Sequence, residues 1–363
     1  MEESILEERK EKLKKLFVKK NLWVLVVLAI AIILGVSIRS LPLTDHGGKP
    51  GLWDVTTNDY TLGPDLDPFL FLRYAKDMIS GGLPAVDSMR NAPLGYNPAS
   101  ELQMVSYMIV LTYKVINIFG TYSINYAGAL MPVLMFILTI ISFFLFVREI
   151  FARKNSEDKN LKANIISSIA TFFMIVIPVF LSRTVAGIPE KESVAFFFMF
   201  LAFYFFLKAW KTEKIKIAVI LGILAGISTG LMGLSWGGVS YAYVSLGLAG
   251  FIAFILNKVK KKEFFIYGGW YALSLITTVL FTKRFSISSF VAGLDTGAAL
   301  FVLFIMGIHF LIWKTRVKNI KIFKNGKLPE NILSLIVAII LGIVLISILL
   351  GPNFIISRLE NLN

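Results

Sequence analysis

The chain has 363 residues, of which 56% are hydrophobic, and it carries a formal net charge of +14. Soluble domains of this length are much less apolar, so the composition excludes that class and predicts a protein that crosses a membrane several times. The chain has no cysteine, which excludes disulfide bonds, thiol catalysis and a cysteine-ligated zinc site.

Nine apolar segments follow one another along the chain, each close to the roughly 20 residues that span a hydrocarbon core. Every backbone polar group in lipid must bond within its own segment, so the spans are predicted to be helices and the fold class all-α. The first segment lacks a small-residue cleavage site, and we interpret it as a retained anchor. The predicted spans are 22–41, 124–147, 163–182, 193–209, 217–234, 239–257, 264–282, 292–313 and 332–350.

Most of the positive charge lies in short segments that all fall on one side of a nine-span topology. Of the 37 Lys and Arg residues, 26 lie in residues 1–21, 148–162, 208–216, 258–262 and 314–327. The positive-inside rule makes that side cytoplasmic, with the N-terminus inside and the C-terminus outside. We therefore attribute the basic residues to topology and anionic lipid headgroups, and expect no nucleic acid partner.

This charge pattern also decides how residues 101–119 are interpreted. As a tenth span, this segment would move 19 later basic residues to the outside, against the positive-inside rule. We expect an amphipathic helix on the outer surface instead.

The predicted organisation then has five parts. Residues 1–21 form a basic cytoplasmic N-terminus, and residues 22–41 form the first transmembrane helix. Residues 42–123 form a large external loop with surface helices, and residues 124–350 hold eight further transmembrane helices. Residues 351–363 are interpreted as the start of another external loop, so the chain looks truncated.

The long loop contains "DLDPFLFLRYAKDMISGG", residues 65–82. Asp67 followed by Pro68 predicts a helix start with a side-chain cap, and the two glycines at the end predict its stop. Arg73 and Asp77 are four residues apart and are expected to pair. Asp67 has two interpretations that stay open here, a helix cap alone or a ligand for a metal ion.

A second short loop carries four charges between two apolar runs, in "SRTVAGIPEKES", residues 182–193. Acidic residues after Pro189 suit a helix start, yet carboxylates at a membrane edge usually have a function. The topology puts Asp67 and Glu190 on the same side, and carboxylate oxygens suit Mg²⁺ or Mn²⁺. Arg183 and Lys191 are candidates to hold a phosphate. Together these residues predict an enzyme that acts on a lipid-linked phosphate substrate from outside.

A third loop, "GLSWGGVSYAY" at residues 233–243, places Trp236 and Tyr241 at the outer membrane edge. These rings either stack on a sugar or belong to the aromatic belt of the interface.

With these motifs in order, the chain resembles the N-terminal transmembrane part of the oligosaccharyltransferase catalytic subunit, the archaeal dolichyl-diphosphooligosaccharide–protein glycotransferase. The blocks "DPFLFLRYAKDMISGG", "MRNAPLGYNP" and "SRTVAGIPEKESVAF" carry the resemblance, and "SWGG" also has a counterpart. The resemblance implies a GT-C type membrane domain and residence in an archaeal or other prokaryotic plasma membrane, with the active face external.

The resemblance also implies site residues and a reaction. Asp67 would be the first-loop metal ligand, with Glu190 and Glu192 at the two acidic positions of the second-loop motif; the family more often has Asp at the first of these. Arg183 would lie near the lipid phosphate and Tyr241 near the sugar. The reaction implied is transfer of an oligosaccharide from a dolichyl phosphate or diphosphate to Asn of an Asn-x-Ser/Thr sequon, with Mn²⁺ or Mg²⁺.

The family pattern also includes a third acidic ligand after the ninth span and a WWDxG sequence, and neither occurs in residues 1–363. We therefore expect this chain alone to bind metal and lipid-linked sugar weakly and to transfer poorly. Two alternatives remain: another lipid-phosphate-sugar-dependent GT-C glycosyltransferase, such as a mannosyltransferase, and a transporter. A transporter would be expected to show internal repeats and charges at mid-membrane.

Overall fold

In a computed structural model, residues 22–45, 48, 51–153, 157–320, 323 and 328–351 are described. The predicted cytoplasmic segment 1–21 and most of the predicted terminal loop, 352–363, lie outside them. The described chain is helical apart from one two-stranded antiparallel pairing, β1 (Trp53–Asp54) with β2 (Asp59–Tyr60). The helices are α1 Leu22–Ser40, α2 Leu66–Ser80, α3 Met104–Ile116, α4 Ile124–Phe151, α5 Glu157–Val176, α6 Pro178–Thr184, α7 Lys191–Lys211, α8 Ile215–Ser235, α9 Ser240–Ile255, α10 Lys261–Phe281, α11 Ile287–Ala292, α12 Leu294–Trp313 and α13 Glu330–Leu350.

The helices confirm an all-α protein that crosses the membrane several times. Within the described ranges, eight are long and apolar enough to span a bilayer, and a bent pair brings the number to nine. Helix α3 has 13 residues, too few to cross a hydrocarbon core of about 30 Å. The expectation that residues 101–119 do not form a span therefore agrees with the helix length.

The third predicted span, 163–182, is not one straight helix. The chain bends by 64° between α5 and α6, and Ile177 between them has an extended backbone. Pro178 has no N–H to donate into the preceding turn and its ring crowds that turn, so the helix breaks there. The break redirects the chain into the loop at residues 185–190.

The described chain forms two compact units. The first comprises the described residues up to Leu207, with Leu231–Gly237 and Phe281–Arg284. Its apolar core lies where α1, α4, α5 and α7 pack together, and aromatic rings fill much of it. The buried core residues are Ala31, Phe136, Ile140, Met174, Ile175, Phe196 and Phe200.

The second unit contains Lys208–Gly230, Gly238–Leu280 and the described residues from Phe285 onward. Helices α8 and α10 approach closely at Gly226, where a Cβ atom would lie 2.4 Å from the carbonyl oxygen of Trp270. Trp270 is fully buried and donates from Nε1 to Thr229 Oγ1 at 2.9 Å. Glycine is therefore required at position 226 for the backbones to meet.

In the long loop, two expectations about α2 are corrected. The helix begins at Leu66, and Asp65 caps it by accepting from the Leu66 N–H, so Asp67 lies in the first turn and is not the cap. Gly81 ends the helix with φ +141°, as predicted. Arg73 pairs with Asp87 instead of Asp77, because the chain turns back after α2 and presents a more buried carboxylate.

Candidate active site

The structure brings together the two stretches that the sequence singled out, residues 65–82 and 182–193, through a contact between residues 63–67 and the loop at 185–190. The Gly63 N–H donates to the carbonyl of Gly187 at 2.8 Å. Gly187 has φ +85°, and a Cβ there would lie 2.4 Å from Leu52 Cδ1, so this position requires glycine. The backbone contact places the N-terminal end of α2 beside the N-terminal end of α7.

At this junction Asp67 and Lys191 form an ion pair. Lys191 Nζ lies 2.8 Å from Asp67 Oδ2, a hydrogen-bonded distance. The Asp67 side chain is 50% exposed, so its second oxygen remains accessible. Lys191 was predicted to bind phosphate, and here its ammonium group neutralises the predicted metal ligand.

Glu190 is the buried carboxylate of the site, with 4% of its surface exposed. Its main-chain carbonyl accepts from both the N–H and the Oγ of Ser193, at 3.1 and 2.6 Å, which holds it at the start of α7. Burial, and after it the nearby carboxylates of Glu192 and Asp65, together raise the pKa of Glu190 to about 7. At neutral pH this side chain therefore exists in both protonation states.

Arg183 lies between two carboxylates at longer range. Its NH1 atom is 3.7 Å from Glu190 Oε1 and 3.8 Å from Asp65 Oδ2, and its side chain is 44% exposed. These distances allow Coulomb attraction but are too long for hydrogen bonds. The guanidinium group is therefore well placed to rearrange around an incoming anion.

The acidic side chains converge without forming a closed ligand cage. Glu192 lies in the first turn of α7, and its charge acts on Glu190. Across the described ranges, no three Asp, Glu, His or Cys side chains gather closely enough to hold a metal ion by themselves. Asp67, Glu190 and Glu192 as a ligand set thus remain a prediction.

The two predicted sugar-stacking residues have different surroundings. Trp236 follows α8 and packs against the first unit's core, with its ring edge-on to Phe196 at 6.0 Å between centroids. Tyr241 lies in the first turn of α9, in the second unit, and is 63% exposed. Both side chains stay candidates for either a sugar contact or the aromatic belt of the membrane interface.

The loop behind α2 is held by a buried ion-pair network that the motifs did not reveal. Arg73 donates to both oxygens of Asp87, and Tyr74 Oη donates to Asp87 Oδ2 at 3.0 Å. The hydrogen bonds from Arg73 lower the pKa of Asp87. Nearby, Arg90 NH1 lies 3.2 Å from Glu101 Oε2. This network fixes the long loop against α2, the helix that carries Asp67.

Sequence reasoning also missed Asp65 and Arg39. Asp65 faces Arg183 and influences Glu190, and its position two residues before Asp67 was the available signal. Arg39 is fully buried at the end of α1 and contacts Thr184. An arginine at the end of an apolar run is also typical of a membrane edge, so its sequence position alone did not distinguish it.

A protein family and several individual proteins are similar to this chain. The family model described as oligosaccharyl transferase STT3, N-terminal, matches residues 59–356. The dolichyl-diphosphooligosaccharide–protein glycosyltransferase subunit STT3 of Saccharomyces cerevisiae is 27% identical over 111 residues, which are 31% of this chain and 15% of the yeast protein. The dolichyl-phosphooligosaccharide-protein glycotransferase 1 of Pyrococcus furiosus is 29% identical over 231 residues, or 59% of this chain and 22% of that protein.

Solved structures show the same fold. The archaeal oligosaccharyltransferase AglB from Archaeoglobus fulgidus, in complex with an inhibitory peptide and a dolichol-phosphate, matches with a TM-score of 0.70 at 21% identity, over 95% of this chain and 39% of that one. A structure of the same protein with zinc and sulfate matches with a TM-score of 0.66 at 21% identity, over 90% of this chain and 40% of that one. The chain therefore spans less than half the length of these relatives.

The family match covers most of the chain and includes both joined loops. The chain belongs to the STT3 family of oligosaccharyltransferases.

Proposed function

We propose that this chain is the transmembrane catalytic part of an oligosaccharyltransferase. It transfers an oligosaccharide from a dolichyl phosphate or diphosphate to the side-chain nitrogen of Asn in an Asn-x-Ser/Thr sequon. The observation that carries the proposal is the Gly63–Gly187 contact, which brings the loop of Asp67 to the loop of Glu190. The names of the relatives, which describe dolichyl-linked donors, support the same reaction class.

The site is proposed to face the outside of an archaeal or other prokaryotic plasma membrane. The predicted nine-span topology puts both site loops on the side opposite the basic segments at 148–162, 208–216, 258–262 and 314–327, and the positive-inside rule makes those segments cytoplasmic. A lipid-linked donor would then reach Asp67 and Glu190 from the outer leaflet.

The residues present fit a divalent cation in charge and donor chemistry. Two cationic groups already lie among the acids, the Lys191 ammonium on Asp67 and the Arg183 guanidinium near Glu190. Asp67, Glu190 and Glu192 would hold the ion, and carboxylate oxygens suit Mg²⁺ or Mn²⁺. Mg²⁺ commonly keeps several waters and is bound by few carboxylates plus substrate phosphate, which agrees with an open set of ligands. When bound, the ion would neutralise the departing phosphate.

The protein side chains have separate tasks in the transfer. Arg183 binds and orients the lipid phosphate, as its exposed guanidinium group suits phosphate oxygens. The accessible oxygen of Asp67 accepts an N–H of the acceptor amide and holds the nitrogen toward the sugar. The N–C1 bond forms as the C1–O bond breaks, the amide nitrogen gives up one proton to the carboxylate, and the lipid phosphate leaves with the electron pair.

Binding to the purified chain, residues 1–363, in nanodiscs tests this proposal. Mn²⁺ binding is followed by electron paramagnetic resonance, and dolichyl phosphate binding is measured with and without Mn²⁺. We expect Mn²⁺ to strengthen lipid-phosphate binding, and Asp67→Asn to remove that enhancement. Asp45→Asn, an exposed acid in the same long loop, is the matched control and should retain it.

The acceptor is tested with a lipid-linked oligosaccharide and two peptides, one containing Asn-x-Thr and one with Gln in place of Asn. Mass spectrometry should find the glycan on Asn, in low yield. A chain that binds neither Mn²⁺ nor dolichyl phosphate would refute the proposal. Product on a hydroxyl group would replace it with another GT-C glycosyltransferase activity.

A further inference from the structure

Arg39 is a buried charge near the end of a transmembrane helix, without a carboxylate partner among the described residues. Its side chain is fully buried in the first unit. Nε donates to Thr184 Oγ1 at 2.7 Å, and NH1 donates to the carbonyl of Ile175 at 3.0 Å. The guanidinium carbon lies 3.3 Å from the ring centroid of Phe136. A buried charge at such a position is costly and usually has a function.

The two acceptors of Arg39 lie on either side of the helix break. The Ile175 carbonyl is in the last turn of α5, where the bend at Pro178 removes its ordinary partner, the N–H of Val179. Thr184 ends α6. The planar fork of arginine can donate in two directions at once. One side chain from α1 therefore fixes both arms of the bent pair α5–α6.

The backbone of Arg39 holds the loop that follows. Its carbonyl accepts from the N–H of Ala186 at 2.9 Å, and the next residue, Gly187, donates to Ala129 at 2.9 Å and accepts from Gly63. Glu190 comes three residues later, with its N–H donating to Ile188 at 2.8 Å. A short series of backbone hydrogen bonds thus links the Glu190 carboxylate to α1.

We propose that Arg39 is a positioning residue for the candidate active site: through Thr184 it sets the place of the neighbouring Arg183, and through loop 185–190 it sets the place of Glu190. The importance of Arg39 for catalysis rests on the proposed function. Its geometric content, the distance between the two site loops, can be tested without metal or substrate.

The absence of cysteine makes disulfide trapping a direct measure of that distance. A Cβ added at Gly63 would lie 3.0 Å from Ile188 Cγ1, so the pair Gly63→Cys with Ile188→Cys should oxidise readily. Arg39→Met in this background removes the donors and keeps an apolar side chain of similar length. We expect the cross-linking rate to fall about fivefold or more, because both hydrogen bonds across the break are lost.

A second pair reports on folding. A Cβ at Gly269 would lie 3.4 Å from Ile223 Cγ1, in the second unit, so Gly269→Cys with Ile223→Cys should be unaffected by Arg39→Met. If Arg39→Met also abolishes this control cross-link, Thr184→Val replaces it, since it removes only the hydroxyl acceptor. Arg39→Lys should restore part of the Gly63–Ile188 rate, as lysine keeps the charge but not the fork.

The outcomes separate the two proposals. An unchanged Gly63–Ile188 rate in Arg39→Met, or in Thr184→Val where that variant is needed, with the control pair forming normally, would overturn the positioning role. A selective loss of the Gly63–Ile188 cross-link establishes that role even if the wild-type chain binds no Mn²⁺, a result that would refute only the proposed function. Where Mn²⁺ binds, its affinity should fall in the order wild type, Arg39→Lys, Arg39→Met.

Discussion

Two clusters of charged side chains in the first unit contain similar residues, but their central carboxylates have different surroundings. Around Asp87, Arg73 donates to both carboxylate oxygens, and Tyr74 and the Met89 N–H add two further bonds. Around Glu190, Arg183 stays 3.7 Å away from the carboxylate, and burial, followed by the nearby carboxylates of Glu192 and Asp65, raises the pKa of Glu190. Both central carboxylates are 4% exposed.

The two clusters differ in how many hydrogen-bond donors compensate the buried carboxylate. A buried carboxylate with several donors is stabilised as the anion, and its pKa falls, as for Asp87. A buried carboxylate beside other acids retains proton affinity and can accept a cation in place of the proton. The first arrangement fixes a loop, and the second leaves binding capacity for a ligand.

Removing the charge of Asp87 should have the largest effect on stability. Asp87→Asn removes the charge that pairs with Arg73 and puts an NH2 donor where one of the two acceptor oxygens stood, in a buried site. We expect the free energy of unfolding to fall by about 3 kcal/mol. Thermal unfolding of the detergent-solubilised chain measures the change. Asp77→Asn, on α2, is the control, with an expected change within about 0.5 kcal/mol. Equal losses in the two variants would contradict a special role for Asp87.

The opposite result is expected at Asp67, where stability should change little and binding should change greatly. The Asp67 side chain is half-exposed, so Asp67→Asn costs little packing. Losing one carboxylate ligand should weaken Mn²⁺ binding about tenfold or more, equivalent to about 1.4 kcal/mol. Titration followed by electron paramagnetic resonance gives the affinity, and the thermal melting curve gives the stability. A variant that melts much earlier yet binds Mn²⁺ normally would reverse the assignment of the two clusters.

Lys191 gives a smaller test with two distinguishable answers. Its ammonium group neutralises Asp67, so Lys191→Met should strengthen Mn²⁺ binding by about threefold, the size expected for a partly exposed ion pair. If Lys191 instead holds the lipid phosphate, as the sequence suggested, Lys191→Met should weaken dolichyl phosphate binding. Lys191→Arg keeps the charge and serves as the control. Measuring both ligands on the same variants decides which role dominates.

The fold was predictable where one physical constraint acts on a local stretch. A span needs about 20 apolar residues in lipid, and that requirement located eight of the long helices to within about four residues at each end, while it placed α5 (Glu157–Val176) six residues too late. The bend between α5 and α6 also has a local cause, Pro178, which is visible in the sequence. The apolar run continues across this proline, so apolarity alone predicted a single unbroken span. The Arg73–Asp77 pairing was wrong because the spacing rule for helices does not consider an acid beyond the end of the helix, such as Asp87.

The site was predictable in its outline and not in its contacts. Asp67 and Glu190 were identified as loop acids on one side of the membrane, and the Gly63–Gly187 bond does bring their loops together. The Lys191–Asp67 pair and the Arg39–Thr184 bond join residues 124 and 145 positions apart. Such partners depend on how helices pack, and no short-range pattern in the sequence specifies them.

The pH dependence of stability gives the finest test of the contrast. The pKa of Glu190 is raised from 4.5 to about 7 by burial and by Glu192 and Asp65, so the folded chain holds this proton more tightly than the unfolded chain does. The stabilising contribution is therefore complete below about pH 4.5 and is lost as the pH rises through about 7.

In metal-free buffer containing a chelator, we expect the melting temperature of the wild-type chain to decline relative to Glu190→Gln between about pH 4.5 and pH 7. Over that range the unfolded chain has released the Glu190 proton while the folded chain still holds it, and glutamine has no proton to release. Asp87→Asn should not change this slope, since the pKa of Asp87 is lowered and that group is already ionised throughout the range. Parallel curves for wild type and Glu190→Gln would mean that Glu190 ionises at its ordinary pKa in the folded chain. Its carboxylate would then be as well compensated as that of Asp87, and the distinction between a loop-fixing acid and a ligand-binding acid would have to rest on exposure alone.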